Sequence, residues 1–277
     1  MRCYTGTDMN DPISYRILTE NADLEQASRL EAVIWGWDVQ FASPTNVMRV
    51  SALKGGLVLC AYDRDAMIGM SWAFPAYTDG QWVLWSHVAG VLPEYRGQGI
   101  GAGIKWAQRE WALMHGYREI RWTFDPMQAG NANFNLRVLG VSINKYLVDM
   151  YGTYDDALNP GLPTDRFEAR WDLASDRVER ARQGASPAVS ALPDTVLVRL
   201  DGDEVVTRAT GSQAAACVEI PASFSTLGRE NRGLAERWQT ALRTQLTDAF
   251  KRGFVIEDFL RHEDRCWYVL KRRALSS

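Results

Sequence analysis

The sequence predicts an α/β (α+β) protein whose main sheet is mostly antiparallel and is flanked by helices. Three strand-like runs, at 57–62, 67–74 and 82–91, follow one another through short turns that contain Asp and Gly, which is typical of hairpins. A helical pattern at 104–115 and a further strand-like run at 119–124 come next. A first strand is predicted at 13–18, helices after Asp23 and Pro44, and a short helix and a last strand at 131–139 and 146–150. The order is therefore β-α-α-β-β-β-α-β-α-β.

Composition divides the chain into two predicted domains, 13–175 and 195–277, after a lead at 1–12 that we expect to be disordered. Residues 176–194 between them are rich in Ala, Arg, Ser and Pro, which predicts a linker. The C-terminal region is predicted to be a small α+β domain with one amphipathic helix at 234–250. The apolar face of that helix must bury against the first domain or against a second copy in a homodimer; it consists of Leu234, Trp238, Leu242 and Leu246.

Charge and cysteine content narrow the functional classes. A net charge of -3 over 277 residues gives no general reason to expect nucleic acid or an anionic membrane as a partner. No apolar run approaches the roughly 20 residues that span a bilayer, and the polar N-terminus lacks a secretory core, so we expect a cytoplasmic protein. The four cysteines are widely separated and form no C-x-x-C pair, which predicts reduced thiols and no metal site.

The most informative motif is V-L-P-E-Y-R-G-Q-G-I-G-A at 91–102. Its glycines, Gly97, Gly99 and Gly101, lie where a predicted strand becomes a predicted helix. The first amides of a helix have no internal acceptor, and the helix dipole makes that end positive. Arg96 adds a positive charge. The motif therefore predicts a cradle for a phosphate group.

Three phosphate ligands compete for this loop, beside a purely structural glycine turn. A nucleoside-triphosphate loop would end in G-K-S/T, whereas this one ends in G-A-G, which excludes it. A dinucleotide fingerprint G-x-G-x-x-A is formally present, but P-E-Y-R separates it from the strand that should precede it directly. The R-x-x-G-x-G/A loop of the GNAT acyl-CoA N-acyltransferases fits Arg96, Gly99 and Gly101 position by position.

The chain resembles the GNAT superfamily over about residues 13–175, both in this loop and in the order of its elements. Within it, the sequence is similar to a bacterial group of predicted acyltransferases with a C-terminal extension. The shared segments are S-H at 86–87, Q-R-E-W-A at 108–112, W-T-F-D-P at 122–126 and P-T-D-R at 163–166. Members of that group are linked to N-acylation of amino acids, including with succinyl-CoA. The C-terminal helix, Gly253-Phe254 and strands resemble the end of a GNAT domain, which indicates a degenerate half of that fold.

This resemblance implies acetyl-CoA or another acyl-CoA as co-substrate and no metal. In the family, the strand before the loop splays from its neighbour, here 82–91 from 119–124, and the gap admits the pantetheine arm. Backbone groups of 89–91 should run along that arm, and the amides of 97–102 should hold the pyrophosphate. The implied binding set is Ala89, Gly90, Val91, Arg96, Gly97, Gln98, Gly99, Ile100, Gly101, Ala102 and Asn131.

Acyl transfer to an amine needs a base, and two residues are candidates. His87 lies on the strand along which the thioester should sit, and alternation predicts His87, Ala89 and Val91 on one face. Asp125 ends the strand across the cleft, and could orient the imidazole. The structural alternatives are a hydrogen-bonded core histidine and an aspartate that caps a turn. The family's acid tyrosine is replaced by Leu136, so water or another group must protonate the thiolate.

Arg166 is the candidate for a substrate carboxylate, because a guanidinium pairs with such groups through two parallel hydrogen bonds. The alternative is a structural turn interaction between Asp165 and Arg166. The sequence thus predicts an N-acyltransferase that moves an acyl group, most simply acetyl, to the amine of a small molecule or amino acid. The alternatives are an amino-acid N-succinyltransferase that uses succinyl-CoA, and a non-catalytic module that senses CoA or a metabolite.

Overall fold

The computed structural model describes residues 3–5, 13–152, 161–185, 192–262 and 265–273. The chain packs as two compact units, which we describe separately. The first comprises Met1–Trp122 and Asp172–Ala174, and the second comprises Thr123–Trp171 and Ser175–Ser277. Both are mixed α/β, so the predicted fold class is confirmed.

The first unit holds a six-stranded sheet and three α-helices. Its elements are β1 (Cys3–Thr5), β2 (Ile13–Ile17), α1 (Asn21–Trp35), α2 (Thr45–Leu53), β3 (Leu57–Asp63), β4 (Ala66–Thr78), β5 (Gln81–Val91), α3 (Ile100–Met114) and β6 (Glu119–Phe124, whose last two residues belong to the second unit). The strands lie in chain order and are antiparallel, except that β5 and β6 are parallel. The prediction of disorder before residue 13 is wrong for Cys3–Thr5, because β1 pairs with β2; the rest of that lead lies outside the described residues.

The hairpin between β4 and β5 forms where the sequence carries Asp79-Gly80. Thr78 pairs with Gln81, and both residues between them have positive φ, 50° and 78°. Two left-handed residues match the right-handed twist of the flanking strands, and Asp-Gly is a preferred pair for that conformation. The two strands are therefore held in a fixed register that extends to Val91.

Helices cover both faces of this sheet. On one face, α1 and α2 contribute Leu24, Leu30 and Met48 to a core that includes Trp72 of β4 and Val88 of β5. The opposite face carries α3, whose buried apolar residues include Ile100, Ile104, Ala107 and Trp111. The end of β5 and the start of α3 are thus fixed by packing on opposite sides of the same sheet.

The second unit holds a seven-stranded set and four α-helices among the described residues. Its elements are α4 (Ala129–Asn133), β7 (Ser142–Leu147), β8 (Arg166–Asp172, whose last residue belongs to the first unit), α5 (Asp176–Arg182), β9 (Val196–Asp201), β10 (Glu204–Thr207), β11 (Ala215–Ile220), α6 (Phe224–Glu230), α7 (Arg232–Lys251), β12 (Phe254–His262) and β13 (Arg265–Arg272). The strand order is β8-β7-β12-β13-β11-β9-β10, in which only the β9–β11 pair is recorded as parallel. A π-helical turn, Phe134–Val138, follows α4.

Packing divides the chain at a different place from the predicted boundary near residue 175. Ile143 of β7 pairs with Ile256 of β12, and the Tyr268 hydroxyl donates to the Pro126 carbonyl over 2.7 Å. Residues 123–171 therefore build one unit with the C-terminal region. The segment 176–194, predicted as a linker, begins with α5, while its residues 186–191 lie outside the described part.

Two further differences concern strands and the C-terminal helix. The last predicted strand at 146–150 is misplaced. The strand covers Ser142–Leu147, and Asp149, with a φ of 46°, has a left-handed conformation that belongs to the turn after it. The apolar face of α7 is buried, as expected. It contacts β7, β9, β10 and β12, which are strands of its own unit.

Candidate functional site

The glycine loop adopts a backbone that only glycine takes without strain. A short 3₁₀ turn, Pro93–Tyr95, leads out of β5, and the Arg96 amide closes it by donating to the Pro93 carbonyl over 3.2 Å. Gly97 and Gly99 then have φ values of 77° and 81°. A side chain at such φ values clashes with the backbone. The spacing of these two glycines therefore follows from the turn that starts α3.

The amides of this loop face outward without internal partners. The first backbone hydrogen bond at the start of α3 is donated by the Gly103 amide to the Gly99 carbonyl, over 3.0 Å. Within the described part of the chain, the amides of residues 97–102 donate to no protein acceptor. A Cβ atom placed on Gly97 or Gly99 would meet nothing within 4 Å. Six free donors thus surround open space at the positive end of a helix of 15 residues.

Arg96 ties this loop to its neighbours. Its Nε donates to the Val91 carbonyl over 3.2 Å, and its Nη2 donates to the Ile34 carbonyl over 3.3 Å. The amide of the Gln98 side chain donates to the Glu94 carbonyl over 3.0 Å. These contacts hold the loop against the ends of β5 and α1, while the Arg96 side chain stays exposed and keeps its positive charge beside the free amides.

β5 has a backbone edge that is only partly paired. Its parallel ladder with β6 consists of Leu84 with Ile120 and Trp85 with Arg121, although β5 itself continues to Val91. On the other edge, the Leu92 amide donates to the Ile68 carbonyl of the β4 side. Hydrogen-bonding direction alternates along an antiparallel strand. The backbone groups of Ala89 and Val91 therefore point away from β4, as the predicted contact with a pantetheine arm requires.

Gly90 serves a different purpose from its two neighbours. The same alternation turns its backbone groups towards Met70 of β4. A Cβ atom at Gly90 would lie 2.3 Å from the Trp35 ring and 2.7 Å from Ile34. Glycine at this position therefore allows α1 to approach β5.

A β-bulge places His87. Trp72 pairs with Val88 and Ala73 pairs with Ser86, so His87 is an extra residue in β5. Its ring centre lies 5.0 Å from that of Trp72, which belongs to the core beneath α1 and α2. Val91, in contrast, lies on the α3 side, close to Gly101. The expectation that His87 and Val91 share one face is wrong, because the extra residue interrupts the alternation.

The surroundings of His87 favour a neutral imidazole. The ring also lies 5.6 Å from the ring centre of Phe74, and part of the side chain stays exposed. Desolvation lowers the pKa of the imidazole from its ordinary value of 6.5. At neutral pH the ring is therefore mostly uncharged and able to accept a proton.

Asp125, in the second unit, caps the turn that follows β6. Its carboxylate accepts from the Met127 amide over 2.8 Å and from the Gln128 side chain over 3.2 Å. Desolvation raises the pKa of this carboxyl, and the Met127 bond and the nearby Arg166 oppose the rise. The geometry matches the structural alternative for this residue, because two donors already occupy the carboxylate.

Arg166 lies in a small polar group at the start of β8. Its Nη1 donates to the Asp165 carbonyl over 2.9 Å, and its guanidinium carbon lies 5.5 Å from the centre of the Tyr151 ring. The Tyr151 hydroxyl is 2.9 Å from Thr123 Oγ1. The Asp165 side chain pairs with Arg243 through two bonds of 2.9 Å instead of with Arg166. Asp165 and Arg166 do interact at this turn, but through the Asp165 backbone carbonyl and not through its carboxylate.

Asn131, the last predicted cofactor contact, and Leu136, at the family's tyrosine position, also lie in the second unit. Asn131 is exposed on α4, and Leu136 is fully buried in the π-helical turn. Tyr146 donates its hydroxyl to Asp165 over 2.7 Å, and burial, followed by the charge of Asp165, raises its pKa well above the ordinary value. Neither Leu136 nor Tyr146 is suited to protonating a thiolate.

Sequence reasoning missed a buried polar group beneath β5. Lys105 and Gln108 of α3 contact Ser86 of β5 and Ser71 of β4. The available signal was Gln108 itself, which lies on the apolar stripe formed by Ile104 and Trp111. A polar residue on such a stripe indicates a buried hydrogen-bond partner.

Other features lie outside the predicted site. A shallow groove of about 600 Å³ between β10 and α7 contains none of the predicted site residues. Across the described ranges, no group of three or more His, Cys, Asp or Glu side chains is arranged to hold a metal ion. No helix in the described part of the chain is both long and apolar enough to cross a membrane.

Comparison with known proteins assigns a family to the region that contains the glycine loop. Residues 24–140 match the acetyltransferase (GNAT) family. This segment is a GNAT acetyltransferase domain. The predicted family is thereby confirmed for this segment. No curated protein matches the chain.

Several solved structures resemble the GNAT domain and its surroundings. YncA from Salmonella typhimurium, an acetyltransferase solved with its cofactor acetyl-CoA, is 16% identical with a TM-score of 0.48, covering 60% of this chain and 96% of its own. The ribosomal-protein-S18-alanine N-acetyltransferase from Escherichia coli is 15% identical with a TM-score of 0.47, covering 59% and 95%. Naa50 from Arabidopsis thaliana, in complex with the bisubstrate analogue CoA-Ac-MVNAL, is 17% identical with a TM-score of 0.45, covering 58% and 98%. The family assignment rests on the family match and on the loop.

Proposed function

We propose that the protein transfers an acyl group, most simply acetyl, from acyl-CoA to the amine of a small molecule or amino acid. The observation that carries this proposal is the set of free amides at 97–102 beside the outward-facing backbone of Ala89 and Val91. The amides suit a pyrophosphate, and the strand edge suits an amide-containing arm. One loop and one strand edge of the first unit thus match the two ends of CoA.

His87 is the proposed base. It is neutral at neutral pH and has no second role among its described contacts, whereas the Asp125 carboxylate already accepts from two donors. His87 would take a proton from the ammonium group of the acceptor. The freed amine attacks the thioester carbonyl, the C–S bond breaks, and the thiolate takes a proton from solvent, because the family's tyrosine position is a buried leucine.

The proposed acceptor is an amine that also carries a carboxylate. Arg166 lies beside the Tyr151 ring, and a guanidinium is the group that pairs with a planar carboxylate through two parallel hydrogen bonds. An amino acid is the simplest compound with both groups. Succinyl-CoA as the donor is the alternative that the sequence resemblance supports.

Calorimetry tests the ligand. We expect CoA to bind and NAD not to bind, and binding of NAD alone would overturn the proposal. Gly99→Asp should abolish CoA binding, because a carboxylate in the cradle repels the pyrophosphate. Gly116→Asp is the matched control: Gly116 has a φ of 83° against 81° for Gly99, both positions have nothing within 4 Å of an added Cβ, and Gly116 lies beyond the other end of α3. Equal loss of binding in both variants would contradict the role of the loop.

Turnover separates an enzyme from a sensor. The assay would combine acetyl-CoA or succinyl-CoA with a panel of amines and amino acids and measure released thiol. We expect turnover with at least one amino acid, and Arg166→Met should raise KM for that acceptor more than for its decarboxylated amine. Tight CoA binding without turnover on any acceptor would favour the sensing module.

A further inference from the structure

A buried lysine side chain packs against β5. Lys105, on α3, is only 3% exposed. Its Nζ donates to Ser86 Oγ over 3.1 Å and to Gln108 Oε1 over 2.8 Å, and it lies 3.7 Å from the centre of the Trp122 ring. Gln108 in turn donates to Ser71 Oγ over 2.9 Å. Burial lowers the pKa of Lys105 well below its ordinary value of 10.5. Because a buried polar group is costly unless it is satisfied, these contacts fix the Lys105 amino group in one position.

The Lys105 amino group lies at the point where β5 and β6 separate. The last pair of the parallel ladder is Trp85 with Arg121. The next residue of β5 is Ser86, and the next residue of β6 is Trp122. Lys105 Nζ touches both. All of these residues belong to the first unit.

We propose that Lys105 is a positioning residue, which fixes where β5 leaves β6 and so presents the backbone of Ala89 and Val91 to the pantetheine arm. The proposal rests on the proposed function, because the arm belongs to acyl-CoA. It extends that function by assigning the alignment of the strand edge to a side chain on the helix beneath.

The chemistry explains why the position holds lysine and not an apolar residue. Ser86 directly precedes the extra residue of the bulge, so a bond to its hydroxyl anchors the strand at the place where its register changes. A methionine of similar length would fill the space but would leave the Ser86 hydroxyl and the Gln108 carbonyl oxygen without this donor. The strand would then lose the contact that sets its departure from β6.

The test compares CoA with its nucleotide half, which carries the pyrophosphate and lacks the pantetheine arm. In Lys105→Met we expect CoA to bind about tenfold more weakly, a loss at the upper end of what one hydrogen bond contributes, with binding of the nucleotide half unchanged. Ser86→Ala should shift CoA binding in the same direction. The double variant should lose less than the two single losses combined, because both changes remove the same contact.

Arg109→Met is the matched control. Arg109 is a second buried basic residue on α3, and its Nε and Nη2 donate to the Leu173 carbonyl. This variant should lose stability but bind both ligands as the wild type does.

Two outcomes count against the proposal. Unchanged CoA affinity in Lys105→Met would overturn it, and so would an equal loss for CoA and the nucleotide half, which indicates general damage. If Lys105→Met fails to fold, Ser86→Ala decides by the same two measurements. Failure of the wild type to bind either ligand would instead overturn the proposed function itself.

Discussion

At the scale of single residues, His87 combines two properties that a base requires. The bulge gives it a place beside the Trp72 ring, and desolvation keeps its ring uncharged at neutral pH. A base must be deprotonated before it can act, and it must come within hydrogen-bond reach of the proton that it removes. Both properties come from its surroundings and could be lost separately.

Replacing His87 tests this assignment. His87→Ala should lower kcat by roughly 10²–10⁴-fold with nearly unchanged CoA affinity, because only proton transfer is removed. The wild-type rate should fall as acid protonates the ring, at a pH below the ordinary histidine value of 6.5 because the pKa of His87 is lowered. That fall should be absent from the residual activity of the variant. Steady-state kinetics across pH measure both effects.

His115→Ala provides the control for the loss of an imidazole. His115 stacks on Trp111, with ring centres 3.9 Å apart, at the end of α3. The His115→Ala variant should therefore have the same pH profile as the wild type. A fully active His87→Ala enzyme with the wild-type profile would transfer the assignment to Asp125.

The glycine turn at the start of α3 could be predicted from sequence, whereas the surroundings of His87 and Lys105 could not. Gly97 and Gly99 are constrained by their own backbone conformation, which is a local property that a motif records. The bulge depends on how β4 pairs with β5, and nothing in Ser86-His87-Val88 marks it. Lysine on a helix normally indicates a solvated face, so only the packing of α3 against β5 reveals that Lys105 is buried.

At the scale of elements, Gly101 and Gly103 of α3 have different roles although they are only two residues apart. A Cβ on Gly101 would have only Val91 Cγ2 nearby, at 3.8 Å, an ordinary contact. A Cβ on Gly103 would lie 1.8 Å from the Tyr15 hydroxyl oxygen. Gly103 therefore permits α3 to approach β2, and Gly101 has no such packing role.

This difference predicts opposite changes in stability. Gly101→Ala should raise the free energy of unfolding by up to about 1 kcal/mol, because alanine is the better helix former. Gly103→Ala should lower it by about 1–3 kcal/mol through the clash with Tyr15. Urea denaturation of both variants measures the changes. A destabilised Gly101→Ala and a neutral Gly103→Ala would contradict this account of the helix.

Elements with strong periodicity could be predicted, and elements that depend on partners could not. Strands β3 to β6 and helix α7 lie close to their predicted positions because their apolar patterns extend over several residues. β10 has only four residues, and α5 lies in a segment whose Ala, Arg and Ser content is typical of a linker. α5 is instead fixed by tertiary contacts, such as the bond from Arg177 Nη2 to the Leu136 carbonyl over 3.0 Å.

At the scale of the whole molecule, the C-terminal region shares an ion pair with residues 123–171. Asp165 is 2% exposed, and Arg243 of α7 satisfies both of its oxygens. Removing the cation would leave a buried carboxylate without its partner. The second unit therefore depends on chain segments on both sides of the predicted linker.

Arg243→Met should accordingly destabilise the protein by about 3 kcal/mol, since one partner of a buried pair is lost. Arg232→Met is the matched control on the same helix, where the arginine pairs with Glu236 at the surface, and its cost should stay below about 1 kcal/mol. Thermal or urea unfolding of the two variants makes the comparison. Equal stability of both would show that α7 contributes little to the unit that contains Asp165.

The single extra residue in β5 also bears on how this protein can change over generations. Side chains alternate along a strand, so adding or removing one residue there exchanges the two faces for every position on one side of the change. Substitutions at 86–88 alter one contact at a time, whereas a one-codon deletion would move the imidazole, the packing of Val88 and the backbone of Ala89 together. We therefore expect a change in the length of this short stretch to disturb more of the first unit than any single replacement within it.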